Sequence, residues 1–427
     1  MAEFSKGLVG VLLTAMFAFG FAVPASADMP PIAAPTPRIE VRVLPPIGAS
    51  DPATFNPKRA TELYLARFPP QARKRADAYF AGTAWLRFVE LVYVLAIAGG
   101  LMWSRLSQKM RNLAARVPRP RIWQTPVYVA EYTALTAAAG LPLVWYEGLI
   151  RERAYGFAWP PLSVWLAHIG TGFAVKMIIA VTGLTLFYAA VRKTREKFAP
   201  AVVAGTVIAV VFAAATATVP PHLLASTKTV STYDLQHPTA NVADELWGSF
   251  ADARIPVAAT DVTSDEKAIA ASHAAGHSAL HHTYVRLALF GLNFAWLFAL
   301  TCFSFNRLAR RFGDKWRVHT IGDPAGLPML AALISLYAFL ALPLTNAISR
   351  SLETHAEYYT LDSTRQPDAI ARDALRPDRH CAVDPTLLEK IWFCDRPSGR
   401  DRIASAMNWK AAHLREEDIR WGPISPQ

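Results

Sequence analysis

"TAWLRFVELVYVLAIAGGLMW", Thr83 to Trp103, is the stretch on which the fold turns. As an α-helix its 21 residues run for about 31 Å, the depth of a bilayer's hydrocarbon core. Its apolar residues form a block and do not alternate with polar ones. Five more blocks follow, at about 126–147, 162–191, 200–219, 284–304 and 325–347. Hydrophobic residues make up 52% of the 427-residue chain and mean hydropathy is positive. The chain therefore reads as mostly α, a polytopic membrane helix bundle of about six transmembrane helices. A soluble domain with one large core is excluded.

Working outward, the loop after that first block carries Arg105, Lys109, Arg111, Arg116, Arg119 and Arg121. "RKTREK" after the third block supplies Arg192, Lys193, Arg195 and Lys197, and Arg307, Arg310, Arg311, Lys315 and Arg317 follow the fifth. These loops alternate as six crossings require, which puts them in the cytoplasm. Segment 28–82, the histidine-rich 220–283 and the tail 348–427 then share the opposite face, flanking the transmembrane segments 83–219 and 284–347. The net charge of +11 sits in these loops without any nucleic-acid-binding motif, so a nucleic-acid partner is excluded. The partner it implies is the lipid bilayer.

At the N-terminus, Lys6 precedes an apolar run that ends at Ala25-Ser26-Ala27, the pattern of a signal peptide over residues 1–27. An uncleaved first membrane helix is the alternative. With a cleaved signal in a bacterium-like cell, the expected location is the inner (plasma) membrane, with segments 28–82, 220–283 and 348–427 facing the periplasm. Cys381 and Cys394 lie in the tail, thirteen residues apart. In an oxidising compartment they could close a short loop, or they could remain free thiols.

"TSDEKAIAASHAAGHSALHHT", Thr263 to Thr283, reads as a helix with Thr263 or Ser264 as cap and Asp265 and Glu266 in its first turn. His273 and His277 then fall about 40° apart on one face and ~6 Å along the axis. Two imidazoles so placed can reach one zinc ion, and they can equally face solvent. "SRSLETHAE" offers Glu353 and Glu357, one turn apart on a second helix-like run. A carboxylate from there would complete a His₂Glu set and leave a fourth position open.

"HAAGHSALHH" followed some seventy residues later by "SRSLETHAE" resembles the type I CAAX prenyl proteases and their bacterial relatives. These are integral-membrane zinc metallopeptidases with the signatures H-E-x-G-H and S-R-x-x-E-x-x-A-D. "FNPKRATELYLARF", "WYEGLIRERAYGFA" and "FCDRPSGRDRIASAMNWKAAH" extend the resemblance from about residue 54 to 413. It implies a gluzincin-like zinc helix pair, one Zn²⁺ as cofactor, and His273, His277 and Glu353 as its ligands. It also implies that Glu357 stands where the family has an aspartate behind a ligand histidine, with Arg402 pairing near that acid.

Three departures fall on the chemistry. Ala274 occupies the position of the family's general base, and Arg396 that of the histidine that steadies the oxyanion. The edge strand on which relatives lay a peptide is missing, with "RIPVAATDV" as its nearest remnant. The expectation is a metallopeptidase homologue that binds zinc but has lost most or all proteolysis, a pseudoenzyme holding a peptide or lipid-linked peptide. Two competitors remain: an active endopeptidase using His281 or His282 as base, and a metal-free transporter or scaffold with Glu90, Glu131 and Lys176 as its polar pathway.

Overall fold

The computed structural model describes residues 55–116, 123–155, 162–194, 197–218, 264–375 and 380–414. The signal-peptide segment and the strand remnant at 254–262 lie outside them. Among the described residues there are helices and no strand. In chain order they are α1 (Pro57–Ala66), α2 (Pro70–Trp103), α3 (Leu106–Ala114), α4 (Gln124–Trp145), α5 (Leu162–Lys193) and α6 (Phe198–Thr218). Then come α7 (Ser264–Ala279), α8 (His282–Trp316), α9 (Leu327–Leu340), α10 (Leu342–Thr364), α11 (Pro367–Asp373), α12 (Leu387–Phe393) and α13 (Gly399–Ala412).

Helices cover the described part of every predicted apolar block, the last of them split between α9 and α10 at Ala341. The spans Pro70–Trp103, Gln124–Arg151, Trp165–Lys193 and His282–Trp316 are long and apolar enough to cross a bilayer, and the pair α9–α10 adds a broken fifth, bent by 51°. Large apolar side chains stay exposed along them, among them Trp85, Ile178, Leu292 and Trp296. Such a belt suits a lipid environment and would be a liability in water. α6 is a further helix of 21 residues, none of them charged.

Two expectations about helix boundaries change. The last block was read as one crossing followed by a separate helix, but the chain breaks at Ala341 and α10 then runs without interruption past Glu353 to Thr364. Pro343 has no N–H to donate and its ring crowds the preceding turn, which is why the axis bends there. The histidine stretch was read as one helix through Thr283. Instead α7 stops at Ala279, His281 takes a left-handed conformation (φ 53°), and α8 starts at His282.

The bundle core lies toward one end, where Tyr128, Phe187, Tyr188, Phe298, Phe305 and Leu330 pack together. The predicted basic loops meet at that end. Arg111 pairs with Asp323, and Arg192 donates to the Gly322 carbonyl at 3.1 Å and to Thr125 at 3.0 Å. α8 is 35 residues long and rises about 52 Å, so His282 lies far from the basic end at Trp316.

A second core builds the extramembrane part, with Tyr64, Leu65, Ile269, Leu361, Ile370, Ile403 and Met407 drawn from α1, α7, α10, α11 and α13. The segment before the first membrane helix thus packs into the same unit as the tail. α1 begins on Asn56, whose side chain accepts from the Arg59 N–H. α12 and α13 open with capping boxes at Thr386/Glu389 and Ser398/Asp401. Asp384 is held below the usual carboxylate range by its bonds to Arg400, with Arg73 adding to the effect.

Cys381 and Cys394 are joined as a disulfide, beside Phe80 at the head of α2. Of the two readings open from sequence, the bridge is the one realised. Replacing both cysteines with alanine is expected to cost about 3 kcal/mol, the chain-entropy value for a loop of this size. A chemical-denaturation midpoint that matches wild type would contradict this.

Candidate metal centre

α7 and α10 pack side by side because Gly276 lets them. A Cβ there would meet Tyr359 of α10 at 3.0–3.2 Å. On the facing sides, His273 Nε2 lies 3.2 Å from Glu353 Oε2, and His277 Nε2 lies 3.5 Å from Glu353 Oε1. The two Nε2 atoms are 3.2 Å apart. A zinc ion bound at 2.0–2.1 Å in tetrahedral geometry spaces its ligand atoms by about 3.3 Å. All three separations match that edge, and two imidazoles with a carboxylate are a donor set zinc favours. The residues fit the metal. Among the described residues this is also the one group of three or more metal-ligating side chains that converges.

The triad is open on one side. The side chains of His277 and Glu353 are 11% and 10% exposed, while that of His273 is 33% exposed. Ala274 follows His273 on this half-buried stretch and brings no polar atom to it. The charge of Arg396, the position read as the oxyanion residue, is among those that act on Glu353. Its neighbour Asp395 meets His380 Nδ1 at 3.2 Å. Burial would raise that carboxyl, but the His380 bond and the nearby charges hold it below its usual range.

Glu357 is buried, and it faces away from the triad. Arg402 donates to it at 2.8 Å and to Asp373 at 2.9 Å. Among the described residues, no hydrogen bond joins Glu357 to His273 or His277, so the ion pair with Arg402 stands as expected while support of a ligand histidine does not. Two contacts were not anticipated. Arg286 donates to Glu353 Oε1 at 3.0 Å, and His282 Nδ1 lies 3.0 Å from His277 Nδ1. A basic residue one turn into α8 was the only sequence signal for the first. Arg350, inside the "SRSLE" motif, donates to the Lys390 carbonyl at 2.7 Å and also to that of Cys394, and so anchors the disulfide loop.

The intramembrane charges fall elsewhere. Glu90 on α2 lies against Glu147 beyond α4, Glu131 is half-buried on α4, and Lys176 is exposed on α5. "WYEGLIRERAYGFA" forms a π-helical turn at Tyr146–Arg151, where Arg151 donates to the Tyr79 carbonyl and the Thr83 hydroxyl, both at 2.6 Å.

Residues 57–223 match the CAAX prenyl protease N-terminal family, with five membrane helices, and residues 258–410 match peptidase family M48. The chain belongs to the type I CAAX prenyl protease-like family. It is a multi-pass membrane protein of the M48 metallopeptidases, a zinc metalloprotease family. The structure is similar to the crystal structure of Ste24p from S. mikatae, with a TM-score of 0.55 and 15% identity over 86% of this chain and 92% of that one. That likeness concerns the fold. An uncharacterized metalloprotease of Bacillus subtilis, YhfN, is 30% identical over 136 residues, which is 31% of this chain and 32% of the relative. The match thus spans about a third of that curated relative.

Proposed function

We propose that this member of the family binds one zinc ion through His273, His277 and Glu353 and has lost most or all of its proteolytic activity. The observation that carries the reading is Ala274, which follows His273 beside an otherwise complete metal-ligand triad. Bound there, zinc would supply a Lewis acid and lower the pKa of a water molecule. The chain's own residues must then take that water's proton and deliver it to a leaving amine, and alanine can do neither. His282 is a poor substitute because it touches His277 on Nδ1, behind the nitrogen that faces the triad. His281 is exposed and lies against Tyr284.

The role we infer is retention of a peptide or lipid-linked peptide at the metal site. We place the protein in a bacterial inner membrane with the site facing the periplasm. Supporting this are the convergence of the basic loops at the far end of α8 and the disulfide on the site's side of the bundle. Zinc content of the purified protein is the test. One ion per chain is expected, lost in His273→Ala. Metal-free wild type would favour the transporter or scaffold reading.

A further inference from the structure

We propose that His282 is a positioning residue of the metal centre, which fixes by hydrogen bonding which ring nitrogen of His277 faces the triad. The inference rests on the zinc reading above. His282 is 4% exposed, and its Nδ1 lies 3.0 Å from His277 Nδ1. His277 Nε2 points the other way, 3.2 Å from His273 Nε2. A neutral imidazole carries one N–H. With Nε2 given to a metal, the proton of His277 sits on Nδ1, and the group placed to accept it is the Nδ1 lone pair of His282. His282 then carries its own proton on Nε2; the ring centre of His355 is 6.3 Å from its own.

The geometry depends on the helix break. In an unbroken helix, residues five apart point about 140° away from each other, and His282 could not reach His277. The left-handed residue His281 turns the chain so that the first residue of α8 folds back on α7. One turn on, Arg286, 7% exposed, bonds Glu353. The start of α8 therefore backs two of the three triad residues. This is the work that an acid at position 357 would do if it reached a histidine, and here Glu357 is engaged by Arg402, which it shares with Asp373. Outer hydrogen bonds of this kind commonly carry a factor of roughly 10–100 in metal affinity.

The test uses full-length protein in detergent, with zinc affinity from chelator competition and Co²⁺ absorption as a second readout. His282→Ala is expected to weaken zinc binding by about 10–100-fold and to leave the unfolding midpoint of the metal-free protein unchanged. His282→Asn, whose Oδ1 can accept the same bond, is expected to recover most of the affinity and the Co²⁺ spectrum. Should the alanine variant fail to fold, His282→Leu against His282→Asn gives the same comparison at similar volume. Wild-type affinity in His282→Ala, or equal affinity in the Asn and Leu variants, would overturn the inference. Wild type that takes up neither metal would overturn the zinc reading beneath it.

Discussion

Ala274→Glu is expected to raise peptide cleavage in detergent by roughly 10²–10⁴-fold, the usual worth of general acid–base assistance. The replacement changes one side chain on a half-buried stretch of α7, next to the exposed edge of the triad at His273, and leaves the converging atoms of His273, His277 and Glu353 untouched. A carboxylate there can take a proton from metal-bound water and pass it to the leaving amine. Wild type that cleaves as fast as the variant would refute the impaired-enzyme reading. A variant that holds zinc but gains nothing would refute the account based on Ala274 alone and shift the loss to Arg396 or to the family's edge motif, which the sequence lacks. Combining Ala274→Glu with Arg396→His separates those two, because arginine can already stabilise negative charge and histidine adds only the family's geometry.

Lys410→Ala is expected to be among the most damaging substitutions outside the metal centre, at about 3–5 kcal/mol. The Lys410 side chain is 0% exposed and that of its partner Asp368 is 2% exposed, with Nζ 2.8 Å from Oδ2. The Tyr64 hydroxyl donates to the other carboxylate oxygen at 2.6 Å. Burial, followed by the charge of Asp368, pushes the proton affinity of that hydroxyl well above the usual tyrosine value, so it stays a donor. Removing the ammonium strands a buried carboxylate among α1, α11 and α13. The double variant Lys410→Met, Asp368→Leu removes both charges and should regain most of the lost stability. An unfolding midpoint in Lys410→Ala equal to wild type would contradict the prediction. Because α11 also packs on α7, the alanine variant should release zinc more readily than wild type.

Much of the membrane part was legible in the sequence because a lipid-spanning helix is a local composition problem. About twenty largely apolar residues in a row have few alternatives, and the described part of every block is helical apart from the break at Ala341. The His273–His277 pair was legible for a similar reason, since a spacing of four on a helix sets both direction and distance. Helical spacing left Glu353 and Glu357 as equals, and family resemblance favoured Glu353. Packing separates them, as Glu353 meets both histidines while Glu357, one turn further along α10, meets Arg402. The cysteine pair was likewise undecided at thirteen residues' separation. In the fold, Arg350 of α10, some forty residues away in the chain, holds the carbonyls of Lys390 and Cys394 beside the bridge.

The amino-acid order by itself determined where the long apolar helices lie, which two histidines share a face, and that no carboxylate follows the first of them. Tertiary structure alone decided which acid joins those histidines, that α7 ends at Ala279, and that His282 turns back to touch His277. Periodicity acts between neighbours on one helix, whereas a left-handed break such as His281 persists only when packing on both sides compensates for its strain.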